Sequence, residues 1–418
     1  MKKVWIFNHH ACTPLTGPML RHFLFAEELI KRGYDITVFA ANEIHFNENS
    51  INTNGSKYIE KTDEGVPFIF VKTAKYQGNN ISRVMNMISF FLNLFPVSKS
   101  IIKNHGKPDV IIGSSVHPLS CVAGIKIAKK LKIPCIVEIR DLWPEAIFSF
   151  GKIKESSIIG KILTAGEKWI YEHGDAIIFT KEGDVDHIKE MKWDKSQGGK
   201  IDLAKCYYIN NGVNLNRFLS EIETNQMSDD DLDDDSFKVV YAGTIRPVNN
   251  VDNIIDAASL LKDKEDIKFL IYGSGSELPR LRQRVIDEDL HNVKLKGFVE
   301  KKYVPYILSK SSINILNYSQ NQYNWTRGNS SNKLFEYMAS GKPIISTVKM
   351  GYCIIDKYKC GYSLDKCTSQ DLRDMILKIY SLPRDQYDEL SRNAGSCAAF
   401  FDYSVLSDKL VSVIDSVF

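Results

Sequence analysis

The chain is poor in features that would assign it quickly. Its net charge over 418 residues is +3, too small to argue for a nucleic-acid partner, although a local basic patch facing anionic lipid or phosphate stays open. Its cysteines, Cys12, Cys121, Cys135, Cys206, Cys353, Cys360, Cys367 and Cys397, are scattered. No C-x-x-C pair exists and no histidine pattern accompanies Cys360 and Cys367, so neither a zinc site nor a disulfide framework is indicated, and reduced thiols in a cytosolic protein are expected. There is no G-x-x-x-x-G-K-[ST] loop, which argues against a P-loop ATPase. No Ser-His-Asp set or paired carboxylates stand out. The apolar start, MKKVWIF, is too short for a signal peptide, and no uninterrupted apolar run of transmembrane length is found. A cytoplasmic chain is the expectation.

What the chain does have is one pattern, twice. A strand at Val4 to Asn8 leads into a loop with His9, His10 and Gly17. A helix from Met19 to Arg32 and a strand from Asp35 to Ala40 follow. This βαβ opening predicts a parallel sheet whose ligands lie at the carboxyl ends of the strands. Further strands are read at 109–113, 134–139 and 176–180, and the first two end in loops carrying His117 and Arg140-Asp141-Leu142-Trp143-Pro144. After Asn210-Asn211-Gly212 comes an acidic run, 228–235, read as a solvated connecting loop; it lacks the glycine and terminal glutamate of a calcium loop. Strands at 238–241, 268–272, 293–295 and 313–316 then alternate with helices. The fold class expected is α/β, two doubly wound Rossmann-like domains facing a cleft: residues 1–212 with a returning helix at 401–418, and residues 213–400.

The segment 81–95 stands apart. Ser82, Asn86, Ser89 and Asn93 form one polar stripe and nearly everything else is apolar, with Lys99, Lys103 and Lys107 following. At ~1.5 Å per residue such a helix is too short to span a bilayer. It is read as either a core helix or a peripheral membrane contact through 81–107.

The stretch Asn329 to Ile345 organises the second half. Small polar residues precede a helix from about Lys333 to Ser340, and a strand follows at 343–347. Unpaired N–H groups at such a helix start suit a phosphate. Glu336, one turn in, is placed to accept two hydroxyl hydrogen bonds. Gly273 and Gly275 follow a strand directly, where glycine lets backbone approach phosphate, although the third glycine of a dinucleotide fingerprint is missing. Gly243, with Arg246, forms another strand-end loop. Arg246 and Lys333 together could neutralise a diphosphate leaving group.

These pieces, in order, resemble the retaining GT-B glycosyltransferases of the large GT4 family: the Gly17 loop, Asn210-Asn211-Gly212-Val213 with Arg217-Phe218, Tyr241-Ala242-Gly243, Tyr272-Gly273-Ser274-Gly275, Gly297-Phe298-Val299 and Asn332-Lys333-Leu334-Phe335-Glu336. Ile139-Arg140-Asp141-Leu142-Trp143-Pro144-Glu145 resembles the subgroup containing fucosamine transferases of O-antigen and capsule synthesis.

The resemblance implies that Glu336 holds a ribose, that amides around Ser331, Asn332, Lys333 and Leu334 hold a diphosphate, and that Phe298 and Val299 flank a base, uracil by preference. Gly243, Thr244, Gly273 and Gly275 would complete the donor side. Gly17 would approach the diphosphate, and His117 and Asp141 would line the sugar and acceptor. It implies a UDP-sugar donor carrying an N-acetylated hexose or 6-deoxyhexose, a lipid-linked saccharide acceptor, and no metal or other cofactor. Attack on the face the leaving group departs from, with the leaving phosphate as base, would retain configuration without a protein nucleophile. There are two departures from the family: Gly328 stands where the first glutamate of E-x7-E belongs, and the usual lysine after the first strand of the second domain is absent, with Asn249 and Asn250 in that region. Rival readings are a UDP-sugar 2-epimerase or phosphorylase of the same architecture, or a non-catalytic nucleotide-sugar-binding subunit.

Overall fold

The structure, a computed structural model, describes residues 1–44, 50–78, 80–149, 151, 153–319, 325–365 and 367–418. The chain divides into two compact units, Met1–Asn210 with Tyr403–Phe418, and Asn211–Asp402.

The first unit runs β1 (Lys3–Phe7), α1 (Arg21–Lys31), β2 (Asp35–Ala41), β3 (Tyr58–Asp63), β4 (Val66–Val71) and α2 (Ile81–His105). It continues β5 (Val110–Ser115), α3 (Pro118–Leu131), β6 (Cys135–Ile139), α4 (Trp143–Ser149), α5 (Ile158–His173), β7 (Ala176–Phe179), α6 (Asp184–Glu190) and β8 (Cys206–Tyr208). The sheet order is β3-β4-β2-β1-β5-β6-β7-β8. Among the described residues only β3 pairs antiparallel, with β4. The central strands are buried along their length because helices cover both faces, which is why they read as apolar runs. Trp5, Phe7 and Phe39 pack ring on ring in this core, Trp5 and Phe7 each 4.9 Å from Phe39.

The second unit runs α7 (Leu215–Thr224), α8 (Asp230–Asp233), β9 (Phe237–Ala242), α9 (Val251–Ser259), β10 (Ile267–Tyr272), α10 (Leu278–Asp287), β11 (Val293–Gly297) and α11 (Val304–Ser309). Then come β12 (Ile313–Leu316), α12 (Asn332–Ala339), β13 (Ile344–Ser346), α13 (Ile354–Lys357), β14 (Gly361–Ser363), α14 (Ser369–Tyr380) and α15 (Arg384–Phe400). Its sheet, β11-β10-β9-β12-β13-β14, is parallel throughout. The last helix, α16 (Tyr403–Asp415), lies in the first unit against α1. There Tyr403 meets Phe25 at 5.1 Å and Arg32 Nη2 donates to the Ser404 carbonyl (2.8 Å) and to Asp408 (2.9 Å).

Three features differ from the sequence reading. The helix at 81–95 continues through Pro96 to His105, so α2, at 25 residues, is long and apolar enough to cross a membrane by length and composition. Pro96 is exposed, so water can reach the Leu92 carbonyl that it leaves without an N–H. Phe90, Leu94, Val97 and Ile101 nevertheless bury one side of α2 in the core of the first unit. Second, the acidic run is not a solvated loop. Asp229 and Asp231 pair with Lys296 (2.6 and 2.7 Å), and Asp234 pairs with Lys238 (3.2 Å) and Lys268. Lysines of the adjacent strands β9, β10 and β11 thus collect it across those three strands. Third, the β3–β4 hairpin and α5 were missing from that reading. The hairpin turns at Glu64-Gly65, both with positive φ, as a tight two-residue connection needs.

Candidate functional site

Because the second sheet is parallel, the loops after β9, β10, β11 and β12 all leave its carboxyl edge, beside the start of α12. Ser331 is the N-cap of α12 but makes no side-chain cap. The Leu334 N–H is already donated to the Ser331 carbonyl at 3.2 Å, so it is not a donor for a ligand as expected. The N–H groups of Asn332 and Lys333 have no acceptor among the described residues. An uncapped start leaves partial positive charge there.

Lys333 folds back over this edge. Its Nζ lies 3.3 Å from the Tyr241 hydroxyl, and 4.9 and 4.8 Å from the ring centres of Tyr241 and Tyr318. With the Asn249 amide nitrogen donating to Thr244 Oγ1 (3.0 Å) and to the Thr244 carbonyl (2.9 Å), the amide oxygen accepts from Lys333 at 3.3 Å. Among the described residues Lys333 has no ion-pair partner. Burial brings its pKa down to about 7, with Glu336 pulling weakly the other way. Such a cation, held by rings and one amide, is short of negative charge.

Gly243 makes room for it: a Cβ there would sit 2.8 Å from Lys333 Cδ. Gly273 and Gly275 meet a packing need that the sequence did not show. A Cβ on Gly273 would lie 1.7 Å from the Gly243 carbonyl oxygen, and one on Gly275 2.1 Å from the Ile245 carbonyl oxygen. These glycines let the loops after β9 and β10 lie backbone to backbone, latched by Ile245 N–H to the Ser274 carbonyl at 2.9 Å. Thr244 and Arg246 are exposed on the same loop. After β11, Phe298 stands 73% exposed, an unusual position for a phenyl ring, and Val299 is half-buried. Glu336, one turn into α12, is ion-paired with Lys301, three residues beyond Phe298. The α12 start, Lys333, Glu336 and the Phe298 turn thus belong to one sheet edge.

The carboxyl edge of the first sheet is built otherwise. His9 Nδ1 and His117 Nε2 are 2.8 Å apart, and the His9 ring packs on Phe90 at 4.5 Å. Burial, with smaller contributions from His10 and Arg83, lowers the His117 pKa to about 3, so its imidazole is neutral at neutral pH. Gly17 is filled by protein, since a Cβ would come within 2.9 Å of Cys12 Sγ. Asp141 is exposed and pairs with Lys181 at 3.3 Å. Beneath these loops Glu138 accepts from Arg21 Nε (2.9 Å) and Nη2 (2.7 Å), meets His22 Nε2 at 2.8 Å and accepts from Ser114 Oγ at 2.5 Å. Arg21 also donates to the carbonyls of Ile209 (2.9 Å) and Asn210 (2.5 Å). Burial opposes the charge of Glu138, yet Arg21 and His22 hold its pKa well below the usual range.

Residues 23–217 match Glycosyltransferase Family 4, and residues 223–396 match Glycosyl transferases group 1. The chain is a two-domain glycosyltransferase of group 1 and family 4 type. It is 22% identical over 324 residues to WcaI of Escherichia coli K12, a candidate colanic acid biosynthesis glycosyl transferase, covering 75% of this chain and 76% of that one. Among solved structures, sucrose-phosphate synthase of Thermosynechococcus elongatus aligns over 100% of this chain and 99% of its own, with TM-score 0.71 and 15% identity. Anabaena HepE in complex with UDP-glucose aligns over 100% of both chains, with TM-score 0.66 and 13% identity. These likenesses show the GT-B fold.

In this glycosyltransferase Gly328, in place of the first motif glutamate, has φ of +103°, a backbone region that a side chain disfavours. The departure is therefore built into the local backbone rather than being a bare side-chain swap. Glu138 escaped the sequence reading. Its one signal was a carboxylate inside the otherwise apolar strand Cys135-Ile136-Val137-Glu138-Ile139, with Arg21 and His22 adjacent on α1.

Proposed function

We propose that this glycosyltransferase transfers a sugar from a UDP-sugar to a lipid-linked saccharide on polyprenyl diphosphate, in bacterial surface polysaccharide synthesis at the cytoplasmic face of the membrane. The observation that carries the reading is Lys333: a cation without an acidic partner among the described residues, beside an uncapped helix start. That is the electrostatics of a diphosphate seat. Phe298 offers a face for the base, and Glu336, once released from Lys301, accepts from the ribose hydroxyls. Arg246 and Lys333 stabilise the departing diphosphate, so catalysis survives metal chelation. The leaving phosphate takes the acceptor proton, and configuration is retained. His117, neutral, and Asp141 serve the sugar and acceptor side.

The colanic acid assignment of WcaI and the UDP-glucose held by HepE support a nucleotide-sugar donor and a polysaccharide product. The segment 139–145 favours an N-acetylated hexose or 6-deoxyhexose, as in the fucosamine-transferase subgroup. Residues 81–107 supply the peripheral membrane contact: on α2 the exposed Ile81, Val84, Met85 and Leu92 give way to the exposed Lys99 and Lys103.

The test offers a panel of UDP-sugars with a polyprenyl-diphosphate saccharide and reads products by mass spectrometry, with and without EDTA. One donor should give a product larger by one sugar. A protein that binds UDP but extends no acceptor in the panel is the partner subunit instead. Alongside it, Glu336→Ala should remove the preference for UDP over 2′-deoxy-UDP; a preference that survives means the ribose is held elsewhere.

A further inference from the structure

α5 buries Ile170 and Tyr171 in the core of the first unit, yet its first turns carry apolar side chains outward as well. Its inward side carries Glu167, buried and bonded to Tyr171 Oη at 2.7 Å and His187 Nε2 at 3.1 Å. Its outward side carries Ile158, Ile159 and Ile162 at 78, 57 and 64% exposure, with Ala165 and Gly166 continuing the ridge one turn on. The ordinary amphipathic helix keeps its outward side polar. Contiguous exposed apolar surface of this kind marks an interaction face.

The charges beside the ridge say what it meets. Lys154 and Lys161 are exposed, and Lys168 sits 6.0 Å from the Trp193 ring. Next to the ridge lies an open groove of about 720 Å³ lined by Lys161, Lys168, Ser156, Thr164 and Trp193, with Glu155 as the acid in its lining. A second copy of the chain meeting this face through a two-fold axis would bring these lysines toward one another. An anionic bilayer is complementary to both parts: isoleucines enter the headgroup–acyl boundary while lysines and hydroxyls meet lipid phosphate.

We infer that the outward face of α5 docks this protein on an anionic membrane surface, with the groove of Lys161, Lys168, Ser156 and Thr164 taking a lipid phosphate. Topology gives the docking a purpose. α5 lies between the parallel strands β6 and β7, so its first turn is at the carboxyl edge of the first sheet. Asp141 follows β6 at that same edge. α2 and α5 both belong to the core layer around α3, and α2 also begins at that edge, with Ile81, Val84 and Met85 exposed in its first turns. The inference deepens the lipid-linked acceptor reading by naming the surface that reaches the lipid, and its test uses neither donor nor acceptor.

The experiment is co-sedimentation of the full chain with vesicles of phosphatidylcholine alone or with phosphatidylglycerol added, alongside its mass in solution by light scattering. The wild type should bind the anionic vesicles and leave the neutral ones largely in the supernatant. Ile158→Gln with Ile162→Gln should weaken binding by more than about tenfold, and Lys161→Glu, which keeps the ridge, should weaken it severalfold with a flatter salt dependence. Both changes are on exposed positions, and an unchanged melting temperature verifies the fold. If the isoleucine variant binds as tightly as wild type, or if it converts a dimer to a monomer without touching vesicle binding, the inference is overturned. If the variants weaken membrane binding while UDP binding is unchanged, docking stands apart from the donor reading.

Discussion

Both sheets gather charged residues at their carboxyl edges, but they treat the charge in opposite ways. In the first unit Glu138 is enclosed by Arg21, His22 and Ser114, and every partner is provided by protein. In the second, Lys333 is enclosed by rings and one amide, with no ion-pair partner among the described residues. A buried charge with its partners supplied is part of the scaffold. A desolvated cation whose natural partner is external is a site, and its lowered pKa is the cost it carries until that partner arrives. The two edges therefore should fail differently when altered, and the largest difference lies in stability.

Glu138→Ala takes from the buried Arg21 the carboxylate that accepts from its Nε and Nη2. Breaking a buried pair on one side costs about 3–5 kcal/mol, so the first unit should melt well below the second in calorimetry of the full chain. The pH signs differ too. The depressed pKa of Glu138 contributes stability that is complete above about pH 4.3 and is lost as pH falls through its folded value. Lys333 has a folded pKa below its unfolded one, so the unfolded state binds more protons above pH 7 and the unliganded second unit should gain stability as pH rises from about 7 toward 10. A Glu138→Ala melt superimposable on wild type would erase the contrast between the edges.

Lys333→Met tests the other side. Removing a charge-assisted contact worth about 1.5–3 kcal/mol should weaken UDP binding by roughly tenfold to hundredfold by calorimetric titration, with little loss of stability because the replaced charge was unpaired. In wild type, UDP affinity should fall above pH 7, by at most about tenfold per pH unit, as Lys333 gives up its proton. The variant should lose that slope. A slope that persists assigns the proton to another group.

The strands were readable because burial on both faces writes them as apolar runs, as in Val-Trp-Ile-Phe of β1 and Phe-Leu-Ile-Tyr of β10. The start of α12 was readable because small polar residues before an apolar period and a glycine after it are local signals. The rest depends on partners distant in sequence. Asp229 to Asp234 looked like a solvated loop because the lysines that gather it lie on three later strands. The loop-on-loop contact that requires Gly273 and Gly275 joins segments thirty residues apart, so that packing need was not legible. α5 turns Ile158, Ile159 and Ile162 outward while Ile170 enters the core, and Glu138 shows only once α1 is laid across β6.

Phe298 should give a smaller effect than Lys333. Stacking of a base on an aromatic face is worth about 1–3 kcal/mol, and a ring this exposed belongs at the lower limit, so Phe298→Ala should weaken UDP about fivefold and free diphosphate hardly at all. Equal loss for both ligands would move the base elsewhere on the edge.

The smallest effect is expected at Lys301. Its ion pair with Glu336 is half in water, and exposed pairs contribute about 0.2–1 kcal/mol, so Lys301→Ala should barely shift the melting temperature. Yet Glu336 cannot offer both of its oxygens to a ribose while one of them is held by an ammonium. Opening that pair is a cost charged against every binding event, and the variant should therefore bind UDP about twofold to fivefold more tightly, with no gain for free diphosphate. This sign separates two roles that look alike in the unliganded molecule. A Lys301 that merely blocks Glu336 gives tighter binding when removed; one that swings onto the ligand gives weaker binding, and the second edge would then meet its ligand with one more cation than Lys333 and Arg246 provide.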